Sequence, residues 1–246
     1  MRRIVRCGAA VAALSLALVG CSAGGPDGTE PNDPGTSAEE TAMTTPGADS
    51  GAGAHQFGST SDLLAAANGF TFNEFDDFTF AESTLGFAQF GSQEQRPEIE
   101  PESCAAFFDD ALSSLDGTEA PTVAGLSAKG GMRVDISSHA AGSDAESHES
   151  MFSGMVAECP EMRLLHDGEP VSESTIEGFD VEVDGADSAV GIHSTMTQAA
   201  SSEEGEVSQV VVRSGTLVVT AAATGGADTR ERARELAGAV LTYLEQ

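Results

Sequence analysis

An α+β fold, an antiparallel β-sheet with helices packed on it, is what residues 60–246 predict. Three observations carry this. Apolar residues recur at helical spacing in separate segments near 101–115, 143–158 and 228–246. Between and after the first two segments lie short runs that alternate apolar with polar residues, the period of a half-buried strand. The patterned part is about 185 residues long, enough for one domain with an ordinary core.

The elements follow in chain order. Leu63 to Ala67 reads as a short helix, with Ser61 or Asp62 as its cap. Next comes FTFNEFDDFTFAESTLGFAQF, which holds seven of the chain's twelve phenylalanines, at 70, 72, 75, 78, 80, 87 and 90. Such a stretch is either core under a sheet or a binding surface, and the sequence leaves both open. A helix is expected from Pro101 to Leu115. Proline suits a first turn, and Glu102 sits at the positive end of the helix dipole. Thr122–Ala128 and Met132–His139 read as strands around Lys129-Gly130-Gly131. In the second, Met132, Val134 and Ile136 face one side and Arg133, Asp135 and Ser137 the other.

Ser143-x-x-Glu146 has the form of a capping box, so a helix should run from there to about Glu158, stopped by Pro160. Its apolar face takes Met151 or Phe152, Met155, Val156 and Cys159. The last third reads mainly as strands. Phe179, Val181 and Val183 alternate with Asp180, Glu182 and Asp184. Val190, Ile192 and Met196 share a face, with His193 opposite. EVSQVVVRSGTLVVTAAA is a hairpin turning at Ser214-Gly215. Asp228-x-x-Glu231 then opens a final helix with the stripe Ala233, Leu236, Ala237, Val240, Leu241 and Leu244.

The domain is preceded by two segments of other kinds. Arg2, Arg3 and Arg6 form a basic start, and Gly8 to Val19 is apolar, too short to span a bilayer. This is a secretory signal, assigned to residues 1–20. It ends Leu18-Val19-Gly20-Cys21, which resembles the bacterial lipobox. The resemblance implies cleavage before Cys21, a diacylglycerol on its sulfur, and a membrane-anchored N-terminus. Two acyl chains hold firmly where one alone is marginal. Residues 21–59 are Gly, Ala, Ser, Thr, Pro and acids with few large apolar groups, and read as a disordered tether. As a coil it would span ~30–35 Å.

Composition excludes several roles. With 11 basic and 40 acidic residues the net charge is −29, and removal of the signal takes away three arginines and no acid. Such a chain repels nucleic acid. Of four cysteines, Cys7 leaves with the signal and Cys21 is acylated. Cys104 and Cys159 remain in an oxidising setting and should pair. Two thiols without paired histidines do not make a zinc site. Asp180-x-Glu182-x-Asp184-Gly185 begins like a calcium loop, but its twelfth position is Gly191 where a bidentate acid is needed. Strand alternation accounts for these acids instead. No HExxH and no G-x-S-x-G occurs. His139, His148, His166 and His193 are scattered and read as solvent-facing or locally bonded. No catalytic residue, metal site or cofactor is assigned.

Three stretches in this order, EPESCAAFF, MFSGMVAECP, and VVVRSGTLVVTAAATGG leading into RARELAGAVLTYL, resemble the extracytoplasmic sensor-like domain of actinobacterial receptor Ser/Thr kinases. Free-standing actinobacterial lipoproteins carry similar domains, and the hairpin-plus-helix end is shared with Mog1/PsbP-like folds. The resemblance spans roughly residues 60–246. It implies an antiparallel sheet with packed helices, a bridge matching Cys104 and Cys159, and a cleft for an unknown ligand. A second bridge, frequent in that family, has no cysteines here, and the chain has no tryptophan. The expected function is thus a non-catalytic ligand-sensing or binding domain on the outer face of the cell membrane, held by Cys21. Two alternatives stay open: an interaction or structural module of the envelope, and an apolar-lipid carrier.

Overall fold

The computed structural model describes residues 56–73, 76–83, 98–115, 120–127, 131–199, 204–226 and 228–246. Among them are helices α1 (Thr60–Ala67), α2 (Glu102–Leu115), α3 (Gly142–Glu158) and α4 (Thr229–Leu244). The strands are β1 (Thr71–Phe72), β2 (Asp76–Glu82), β3 (Glu98–Glu100), β4 (Thr122–Ser127) and β5 (Met132–Ser138). They continue with β6 (Glu161–His166), β7 (Glu169–Phe179), β8 (Ser188–Gln198), β9 (Glu204–Ser214) and β10 (Leu217–Thr224). All ten join one antiparallel sheet in the order β1-β2-β4-β5-β10-β9-β8-β7-β6-β3. The α+β class is as expected.

The sheet is buried on both faces at its centre. Val210, Val211 and Val212 are all fully buried, because successive β9 side chains point to opposite faces and each face meets a helix. Val210 and Val212 join the core beneath α4, while Val211 packs with Val218 and Ala145 beneath α3. The stripe Ala233, Leu236, Ala237, Val240, Leu241 and Leu244 is buried throughout, which seats α4 on β9 and β10. The same core takes Phe70, Phe72, Phe78 and Phe80, each at most 8% exposed. These four phenylalanines are therefore core; Phe75, Phe87 and Phe90 lie outside the described residues.

Several boundaries depart from the sequence reading. α1 begins three residues earlier than expected and is capped by Ser59, whose Oγ accepts from the Asp62 amide at 3.2 Å. α3 begins at Gly142, so Ser143 lies inside the first turn and is no cap; its carbonyl accepts from the Ser147 hydroxyl. Asp228 occupies the N-cap of α4 without a side-chain capping bond. Strand β7 ends at Phe179, so Val181 and Val183 are not in a strand, although both still pack against the core. Gly185 at φ +84° turns the chain there. Strands β6 and most of β7 had no clear signal, because their outer faces alternate irregularly.

Gly191 of β8 lies opposite Phe179 of β7. A Cβ there would sit 2.6 Å from the Phe179 carbonyl oxygen and 2.7 Å from its ring. Gly191→Ala should therefore destabilise the domain by about 1–3 kcal/mol. Urea denaturation checks this, and an unchanged midpoint would show that the strand pair yields freely.

Candidate functional site

The helices α2 and α3 share the sheet face opposite α4, and a disulfide ties them. Cys104 falls in the first turn of α2, where its amide bonds back to Pro101. Cys159 is the C-cap of α3. Their Cα atoms are 5.1 Å apart, the two sulfurs are bonded, and both residues are fully buried among Phe108, Ile176 and Ile192. Gly154 lets the two helices close up, since a Cβ there would meet the Phe107 ring at 2.8 Å.

The other end of α3 covers a polar cluster. β5 turns Arg133, Asp135 and Ser137 toward this face by strand alternation, and His139 follows just past its end. From above, α3 sends down Ala145, His148 and Glu149, one turn apart. His148 Nδ1 lies 3.0 Å from His139 Nε2 and 3.2 Å from Ser137 Oγ. The rings meet edge to face at 5.1 Å, and Phe152 closes the far side of His148 at 5.8 Å. All three polar members are buried: Ser137 and His139 are 2% exposed and His148 is 8%.

Beside this pair runs a charged branch. Glu149 Oε2 accepts from the Ser188 hydroxyl at 2.7 Å and from Arg213 Nε at 3.3 Å. Arg213 also reaches Asp187 Oδ2 at 3.3 Å, which in turn accepts from the Gly215 amide at 2.7 Å. The branch thus links α3 to the start of β8 and to the β9–β10 turn. The second Glu149 oxygen, Oε1, is buried without a partner among the described residues.

Burial sets the chemistry of the histidines. Loss of hydration holds His148 down at about 4, with the nearby His139 pushing the same way. His139 is lowered as well, chiefly by burial, and the Asp144 carboxylate partly offsets this. Both rings are neutral at pH 7. One nitrogen of the facing pair must then be unprotonated, which is what a 3.0 Å contact needs. Two imidazolium rings here would turn N–H groups on each other.

The cluster also receives the chain that enters the domain. The Gln56 side-chain amide donates to the carbonyls of His139 and Ala140, at 3.3 and 3.1 Å. The Phe57 amide donates to Ser138 Oγ at 3.0 Å.

The remaining sequence candidates are dispersed. His166 is exposed beside Asp167. His193 lies on the α4 side of the sheet, where its Nδ1 meets Ser208 Oγ at 2.9 Å and Ser208 meets Thr229 at 2.8 Å. Asp180, Glu182 and Asp184 are exposed, but on a loop rather than a strand. Cys21 lies outside the described residues. Among the described residues no group of three or more His, Cys, Asp or Glu could hold a metal, and no helix is long and apolar enough to cross a membrane.

His139 and His148 correct the reading in part: they are not scattered and do not face solvent, but are bonded to each other across nine residues of sequence, as the locally bonded alternative allowed. Continuing the α3 stripe backward from Phe152 by helical spacing reaches Glu149, His148 and Ala145. That signal was in the sequence; their polarity hid it.

No protein-family model matches the chain, and no curated protein matches it. Solved structures do. One is an uncharacterised protein from Mycobacterium smegmatis, the Rv0999 ortholog, with a TM-score of 0.45 and 17% identity over 78% of this chain and 98% of that one. Another is the extracellular domain of PknH from Mycobacterium tuberculosis, with a TM-score of 0.43 and 12% identity over 75% of this chain and 90% of that one.

Proposed function

We propose that this chain is a lipid-anchored protein of the outer face of the cell membrane whose α+β domain has a non-catalytic sensing or binding role. The observation that carries the reading is Leu18-Val19-Gly20-Cys21 at the end of a short apolar run. Two features support it. The Cys104–Cys159 bond fits an oxidising setting outside the cytoplasm. The serine and histidines that could be taken for catalytic groups are enclosed under α3 and not presented at a surface. The strong negative charge argues against an anionic ligand or nucleic acid. A carrier for apolar lipid is less well supported, because Phe70, Phe72, Phe78 and Phe80 fill the core.

The decisive experiment is Cys21→Ala. The wild type should partition into the detergent phase and incorporate radiolabelled palmitate; the variant should do neither. Equal partitioning of both would remove the anchor. The sensing role is separable from this. Mass spectrometry of the native protein should find a co-purifying small molecule; an envelope protein in stoichiometric amount would favour the interaction module instead.

A further inference from the structure

We propose that the buried His139–His148 pair is an acid-operated latch that fastens the first turns of α3, and the entering chain at Gln56 and Phe57, to the end of β5. The inference stands on the domain alone and does not rest on the lipid anchor.

The geometry makes the pair a fastener. His148 hangs from the N-terminal half of α3, and His139 stands at the end of β5. Their 3.0 Å contact, with Ser137 at 3.2 Å, is the polar link between the two elements at that point. The rest of the local contact is small: Ala145 is buried with Val211 and Val218, and Phe152, further along α3, packs against them. The α3 N-cap is Ala141, which supplies no side-chain bond, so among the described residues this underside holds the first turns. At its other end α3 is held by the disulfide and by Phe107 against Gly154. One end is thus covalently fixed, and the other is held by the neutral imidazoles together with the Glu149 bonds to Ser188 and Arg213. His139 is also bonded through its backbone, its amide to the Thr216 carbonyl and its carbonyl to Gln56. Movement at His139 therefore reaches the entering chain directly.

Charges around the pair favour an imidazolium only at His139, through Asp144, and there burial outweighs it. From α3, Asp144 lies near His139, and the Glu149 carboxylate is already engaged by Ser188 and Arg213. From β5, Asp135 is held by Arg133 at 2.6 to 2.7 Å. From β9 comes the cation Arg213, and Asp187, ahead of β8, is bonded to it and to Gly215. On this face β8 and β10 present Ser188, Val190, Val218 and Thr220, and β7 presents Ile176 and Gly178, all neutral. α2 meets α3 through Phe107, away from the pair. Protonation is therefore met by release: the rings gain protons when they reach water, and α3 lifts from its free end.

Amide hydrogen exchange of the full chain, read by mass spectrometry and corrected for the intrinsic pH dependence of exchange, tests this. With His148 held near 4 when closed and near 6.5 when open, protection over 141–152 and 56–59 should fall about twentyfold from pH 7 to pH 5. Protection over β9 and β10 should change far less. In His148→Gln, which keeps polar bonding without the charge, the acid-dependent loss should shrink to what His139 alone contributes; His139→Gln is the second variant. Protection over 141–152 that stays constant to pH 5 would overturn the latch. So would simultaneous loss across β9 and β10, or a response unchanged in both variants.

Discussion

Replacing Cys104 or Cys159 with serine should lower the stability of the domain by about 2–5 kcal/mol, and the double replacement should cost little more than either single one. The bond closes a loop across a sequence separation of 55, for which the chain-entropy model gives about 4 kcal/mol. Both sulfurs are fully buried, so a serine left there also places a hydroxyl among Phe108, Ile176 and Ile192. Denaturation of the oxidised wild type and the three variants measures all four corners of the cycle. Additive single effects would mean that the two positions act separately and that the bond contributes little of itself.

Acid should weaken the domain through His148. Its folded value, about 4, lies below the ordinary 6.5, so the unfolded chain binds more protons in between. Stability contributed by the neutral buried ring is fully present above about pH 6.5 and is lost as pH falls toward 4. For His148 alone the loss at pH 4 is about 3 kcal/mol. His139, lowered in the same direction, adds to it. Because 40 acidic residues also titrate in acid, the readout is the difference between wild type and His148→Gln across that range. The wild-type curve should fall more steeply from pH 6.5 to 4. Parallel curves would show that the ring is hydrated in the folded state.

The parts of the fold legible in sequence were those where one physical demand dominated. The α4 stripe reads out directly because a single face meets a single core. The Met132, Val134 and Ile136 alternation does so because β5 has an apolar face toward α4 and a polar one toward α3. Cys104 and Cys159 could be paired because no other partner remained. The candidate site was illegible for the opposite reason. His148 and Glu149 occupy inward positions of α3, yet polar residues at such positions look like solvent-facing ones until a strand beneath supplies their partners. Those partners, Ser137, His139, Ser188 and Arg213, come from elements up to 64 residues away, and local pattern cannot see across that distance. Caps failed similarly: Ser143 reads as the cap of α3, but Ala141 takes that place, two residues earlier and without a side-chain bond.

The order of strands in the sheet also dictates when the protein can become itself. β10 lies between β5 and β9, and α4 packs on the two last strands. Near the chain's end, Tyr243 donates from its hydroxyl to the Asn68 carbonyl and its ring meets Phe70 at 5.4 Å, so the final turn of α4 braces the first segment of the domain. A ribosome or export channel that still holds residues 217–246 holds back the centre of the sheet, not an appendage to it. The β6–β7 and β7–β8 hairpins can form early, as can the closure of Cys104 on Cys159. The half containing α1, β2, β4 and β5 must wait, its phenylalanines uncovered, for partners that follow it in the chain. Folding of that half thus waits on β10 and α4 and is slow, because its closing contacts join segments far apart in sequence, as Asn68 and Tyr243 do across 175 residues.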